Sequence, residues 1–122
     1  MGKVFENGAL LSSNGLSLEL IYYTETEVPN SRDYTNVTIY DGKKFSDFIL
    51  IQIEIAIGGR IVTWTFTPYI LNNKSGYYMH NNYDYSTSYD TFRLSVKAIK
   101  SDTKIGISAV GGDPTVWIYG IK

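Results

Sequence analysis

Cysteine is absent from the 122 residues, and histidine occurs once, as His80. Without thiols the chain can form no disulfide, thiolate nucleophile, zinc–thiolate site or iron–sulfur cluster. A lone imidazole makes any Ser-His-Asp arrangement depend on His80 and excludes most histidine-based metal sites. An excess of one charge is also missing, with eleven Lys and Arg against twelve Asp and Glu. Nucleic-acid binders normally show a basic excess, so no nucleic-acid partner is expected. Long hydrophobic runs are lacking too. The longest, Phe48 to Ile57, contains Gln52 and Glu54 and spans ten residues, about half of the ~20 that a membrane helix needs. The opening stretch Met1 to Glu6 has no apolar leader-like core, and Glu6 stands where a myristoylation signal wants Ser or Thr. Membrane insertion is therefore not expected. Phosphate loops, dinucleotide glycine patterns and nucleophile elbows are absent as well, and no cofactor is expected.

What the sequence does have is period-two hydrophobicity and eleven tyrosines. Leu16, Leu18, Leu20 and Tyr22 alternate with Ser17, Glu19, Ile21 and Tyr23, which predicts a strand with the leucines inward. Tyr34 to Tyr40 is β-branched and aromatic, and Asp41-Gly42 signals a hairpin. In Phe48 to Ile57 the five isoleucines at 49, 51, 53, 55 and 57 form one row, expected to be core. Phe48, Leu50, Gln52, Glu54 and Ala56 form the other row, half polar, and that row is expected to be covered by another chain. Gly58-Gly59 turns the chain, and Arg60 to Thr67 returns with Val62, Trp64 and Phe66 as its apolar row until Pro68 ends the strand. Thr91 to Ile99 places Phe92, Leu94, Val96 and Ala98 inward. Strands over Ile105 to Val110 and Thr115 to Ile121 follow, separated by Gly111-Gly112-Asp113-Pro114. No window shows a helical stripe. The whole chain, residues 1–122, is expected to be a single all-β domain, an antiparallel β-sandwich of jelly-roll type with seven to nine strands. Its longest loops are expected at Thr24 to Asp33 and Leu71 to Ser88.

Six of the tyrosines crowd the stretch Tyr69 to Tyr89. Tyr69, Tyr77, Tyr78, Tyr83, Tyr85 and Tyr89 are interleaved there with Asn72, Asn73, His80, Asn82 and Asp84. Tyrosine offers wide contact area at low entropic cost, and amides offer adaptable hydrogen bonds. A sugar suits such a surface, with its C–H faces on phenol rings and its hydroxyls on Asn and Asp. These eleven residues are the candidate ligand-binding set. The same tyrosines also suit a sheet edge or a subunit contact. His80 with Asp84 or Asp90 has no spacing that compels a metal, and no metal site is expected. Glu54 is the one acid in mid-strand, with Gln52 on the same face. It can serve as a catalytic carboxylate, pair with Arg60 or Arg93, or sit hydrogen-bonded on a partly covered face. Glycoside hydrolysis wants two such acids across a cleft, and no catalytic residue is assigned.

Three stretches resemble a known group. They are Val4-Phe5-Glu6-Asn7-Gly8 followed by Leu16 to Tyr23, Tyr83 to Tyr89 leading into the strand from Thr91, and the ending Val116-Trp117-Ile118-Tyr119-Gly120-Ile121-Lys122. Together they resemble the small β-rich C-terminal domains of bacteriophage and prophage tail fibres and receptor-binding proteins. The resemblance implies a non-enzymatic virion protein made in the host cytoplasm. It also implies a homotrimer working with other tail or capsid proteins, whose tip recognises a host-surface saccharide or protein. The chain has no fibre shaft or heptad repeat, so an excised tip and a short stand-alone capsid or tail decoration protein are both open. A sheet apolar on both faces also predicts a neighbouring chain in a closed cyclic oligomer, which fits the trimer that the resemblance implies.

Overall fold

The computed structural model describes residues 16–86 and 91–122, with backbone alone over 76–86. Eight strands are present among the described residues, in two four-stranded sheets. The first sheet has the order β1 (Leu18–Thr24), β8 (Thr115–Ile121), β3 (Leu50–Ile57), β4 (Arg60–Phe66). The second has the order β2 (Ser31–Thr38), β7 (Lys104–Val110), β6 (Thr91–Ile99), β5 (Ser75–Ser86). All strand pairs are antiparallel, and the fold is an all-β sandwich around one hydrophobic cluster. No helix of the described residues is long and apolar enough to cross a membrane.

The isoleucine row organises the core. Ile51, Ile53 and Ile55 are completely buried, and Ile57 nearly so. Beside them in the register stand Ile118 and Val116 of β8, also completely buried. Leu94, Val96, Ile105 and Ile107 belong to the same cluster from the second sheet. Ile49 departs from the expected row, since it precedes the strand and is 59% exposed. Phe48 departs in the opposite sense. It was expected on the outer row, yet it is buried against Gly120, where an added Cβ would lie 2.4 Å from the ring. Glycine at 120 leaves the space that the phenylalanine fills.

Gly58 and Gly59 have φ of +57° and +79°, the geometry of a tight two-residue hairpin that glycine adopts without strain. They bring β4 back on β3 in unbroken register from Ile57↔Arg60 to Ile51↔Phe66. Asp41-Gly42 is also a turn, with Gly42 at φ +80°, but it closes no hairpin. β2 pairs with β7, and the segment after it changes sheets. The Ile39 N–H donates to Thr103 O at 2.9 Å, and the Tyr40 N–H donates to Ile21 O at 2.8 Å. A 3₁₀ turn, Phe45–Asp47, then leads into β3.

β1 reverses the expectation for its leucines. The register slips between Leu20 and Tyr22, so that an extra residue, Ile21, is inserted opposite β8. Such a bulge swaps the faces of everything on one side of it. Ile21 and Tyr22 are buried, whereas Leu18 and Leu20 are 47% and 42% exposed. A second irregularity lies in β2, between Ser31 and Thr35. There the buried Ser108 hydroxyl shares its one proton between two loosened carbonyls, Ser31 O and Arg32 O, at 3.0 Å each.

Pro68 does end β4, and it also opens a six-residue helix, α1 (Pro68–Asn73). Proline is well suited to a first helical position, and Thr67 caps the turn by accepting from the Ile70 N–H. Leu71 anchors the helix in the core. Within the expected loop Leu71 to Ser88, the described residues are the end of this helix and then a twelve-residue strand, Ser75–Ser86.

The contrast between two isoleucines is testable. Ile53→Ala should cost about 2–5 kcal/mol, the usual range for emptying a buried aliphatic site. Ile49→Ala should stay within about 0.5 kcal/mol of the parent. Urea unfolding of the two variants measures both, and equal losses would contradict the assigned faces.

Candidate functional site

Ten of the eleven residues of the tyrosine-rich stretch fall on two elements, three on α1 and seven on β5. Tyr69 lies on α1 and is 64% exposed. Asn73 closes the same helix, its side-chain amide donating to Tyr69 O at 2.8 Å. Asn72 is turned to a structural task. Its amide hydrogen-bonds Asp102, which also accepts the Ser46 N–H at 2.8 Å and the Ser46 hydroxyl at 2.6 Å. Burial alone would raise the Asp102 pKa, but these donors and nearby Lys44 hold it below the ordinary carboxylate range. That carboxylate ties α1, the 3₁₀ turn and the β6–β7 turn together.

Tyr77, Tyr78, His80, Asn82, Tyr83, Asp84 and Tyr85 lie on β5 rather than in a loop. His80 stands opposite Lys97, Asn82 opposite Ser95, Tyr83 opposite Leu94, Asp84 opposite Arg93 and Tyr85 opposite Phe92. Successive residues of β5 therefore belong to opposite faces of the sheet. The side chains of these seven residues, and Tyr89 entirely, lie outside the described residues.

A different set of aromatics is brought together on the outer face of the first sheet. β8 alternates strictly, with Val116, Ile118 and Gly120 buried and Trp117, Tyr119 and Ile121 half-buried on the other side. β3 does the same, with Leu50, Gln52, Glu54 and Ala56 outward. The register aligns these residues in rows across the sheet. One row runs Tyr23, Trp117, Glu54, Thr63. The next runs Leu20, Tyr119, Gln52, Thr65, and a third Leu18, Ile121, Leu50. The face thus grades from aliphatic at the Leu18 end to aromatic and acidic at the Tyr23 end.

The aromatic end is well ordered by its own contacts. The Tyr23 and Trp117 rings are 5.9 Å apart and tilted by 47°, a favourable inclined pairing. Trp117 and Tyr119 are two positions apart on one strand, about 7 Å in rise. Gln52 Nε2 donates to Glu54 Oε2 at 2.9 Å, which orients the carboxylate. The expected partners Arg60 and Arg93 do not take it; Thr63 and Trp117 flank Glu54 in the register. Burial, and then the Glu54 charge, push the Tyr119 phenol above its ordinary pKa. The Glu25 carboxylate, through a hydrogen bond, and then desolvation do the same for Tyr23.

Tyr23 stands on the outward row of β1, as the alternation with Tyr22 predicts, but its pairing with Trp117 could not be read from the sequence. The outward placement of Trp117, Tyr119, Gln52 and Glu54 was legible from alternation. No family model, curated protein or solved structure matches the chain.

The proximity of Glu54 to Tyr119 has a measurable signature. Removing a negative charge makes the phenolate easier to form. Glu54→Gln should therefore lower the Tyr119 pKa, and it should remain above the ordinary value because burial persists. An NMR titration of the Tyr119 ring carbon reads the change, and an unchanged midpoint would separate the two groups.

Proposed function

We propose that this chain is a non-enzymatic recognition domain of a bacteriophage particle, at the tip of a tail fibre or receptor-binding protein, and that it contacts a host-surface saccharide. The contact is the aromatic end of the first sheet's outer face, rather than the tyrosine-rich stretch alone. The observation that carries this reading is the row Tyr23–Trp117–Glu54 with Tyr119 and Gln52 beside it. Ring faces receive the apolar side of a pyranose, and an oriented amide and carboxylate receive its hydroxyls. A binding role is favoured over hydrolysis because the hydrogen-bond partner of Glu54 is an amide, where a glycosidase needs a second acid across the bond. In this reading the sandwich is a variant of the jelly roll, sharing its outer strand order and departing from it in where β4 and β6 lie. β8 and β7 return beside β1 and β2, while β4 and β6 stay next to their hairpin partners β3 and β7.

Trp117→Ala should weaken binding about fivefold or more on an array of bacterial cell-surface polysaccharides, since one lost stacking contact is worth roughly 1 kcal/mol or more. Ala substitutions at Tyr78, Tyr83 and Tyr85 serve as the comparison. If they abolish binding while Trp117→Ala leaves it intact, the contact belongs to β5.

A second reading, a trimerising decoration or cement domain bound to other tail or capsid proteins, is favoured by the aliphatic end. Leu18, Leu20 and Ile49 are 47%, 42% and 59% exposed, an unusual amount of aliphatic surface for one end of a small sheet. Light scattering should give a homotrimer that Leu18→Ser with Leu20→Ser dissociates. A monomer at micromolar concentration would end the trimer proposal and leave the saccharide contact to stand by itself.

A further inference from the structure

We infer that the saccharide accepted by this face carries a positively charged ammonium group, as a deacetylated amino sugar does, seated at Glu54. The inference rests on the recognition reading above and narrows it to one ligand chemistry.

Glu54 occupies an interior strand of the sheet, half-buried amid Trp117, Tyr119 and Gln52 in the register. Its Oε2 accepts from Gln52 at 2.9 Å. No hydrogen bond from a described residue reaches Oε1, and among the described residues no cation pairs with the carboxylate. The rows around it contain no Lys or Arg. A ligand laid over these rows would strip water from a charge that the protein leaves half-satisfied.

The chemistry of the ligand decides whether that loss is recovered. A half-buried carboxylate deprived of water is costly unless a partner restores both charge and hydrogen bonds. A neutral sugar restores hydrogen bonds through its hydroxyls and leaves the charge unmatched. An acidic sugar or phosphate adds repulsion from Glu54 and from Glu25 beside Tyr23. An ammonium supplies charge-assisted donors to Oε1. The electron-rich faces of Trp117 and Tyr119 add cation–π attraction at the same position. Gln52 then acts as a positioning residue, holding one carboxylate oxygen so that the other stays presented.

The test compares two oligosaccharides that differ in this group alone. The full chain is titrated calorimetrically, at low salt, with the hexamer of β-1,4-linked glucosamine and with its fully N-acetylated counterpart. The deacetylated hexamer should bind about tenfold more tightly or better, and raised salt should erode that advantage. Glu54→Gln, nearly isosteric, should bring the two affinities together. Trp117→Ala should weaken both, with circular dichroism confirming that each variant is folded. Equal affinity of the parent for both hexamers would overturn the inference. A preference that survives Glu54→Gln would do so too, as would failure of the parent to bind the deacetylated hexamer. The recognition reading fails separately, when Trp117→Ala leaves polysaccharide-array binding unchanged.

Discussion

Burial of Ile51, Ile53, Ile55 and Ile57 along one side of β3 sets the geometry of the whole first sheet. Side chains alternate across a strand, so hiding those four residues forces Leu50, Gln52, Glu54 and Ala56 to the opposite side. Pairing then transmits the choice. Ile118 joins Ile53 in the core, and Tyr119 and Trp117 are turned outward beside Gln52 and Glu54. The outer face is thus the obligatory reverse of a well-packed interior. Changing it need not disturb the core, which is the arrangement a recognition surface requires.

The two sheets treat their outer faces differently. On the second, the buried hydroxyls of Ser95 and Ser108 lie opposite one another. Tyr34 covers them, its hydroxyl hydrogen-bonded to Ser95, and the Lys97 ammonium sits 4.2 Å above its ring. Over these two serines that face is covered by its own residues. On the first sheet, nothing of comparable reach folds over Trp117 and Tyr119 among the described residues. Their polar neighbours are oriented, by Gln52 on Glu54, but not consumed. The contrast between this covered patch and the open rows of the first sheet is what the proposed recognition role rests on.

Much of this was visible in the sequence where one local rule acted without competition. The isoleucine row, the Gly58-Gly59 hairpin, the strand from Thr91 and the outward Trp117 and Tyr119 follow from alternation and turn chemistry. The failures have particular physical causes. A single inserted residue at Ile21 reverses Leu18 and Leu20, and nothing in Leu-Glu-Leu-Ile-Tyr-Tyr announces it. Phe48 follows the alternation of β3 on paper, yet a void over Gly120 on a distant strand draws it inward. Tyr69 to Tyr89 was read as a loop because tyrosine mixed with Asn, Asp and Ser is the composition of binding loops. Tyrosine is also a strong strand former, and pairing with β6 decided the matter. A helix of six residues is too short to display its period.

The place of β8 between β1 and β3 has a temporal side. Its pairing with β1 reaches as far as Ser17 and Lys122, 105 residues apart in sequence. Contacts of such separation are slow to form, since a long loop must close before they repay its entropy. As the chain is synthesised, β1, β3 and β4 emerge well before the strand that joins the first of them to the other two. The half of the face built from Trp117 and Tyr119 arrives with that strand. A chain cut short before it therefore lacks the aromatic platform altogether, so display of that surface reports that synthesis has run through β8.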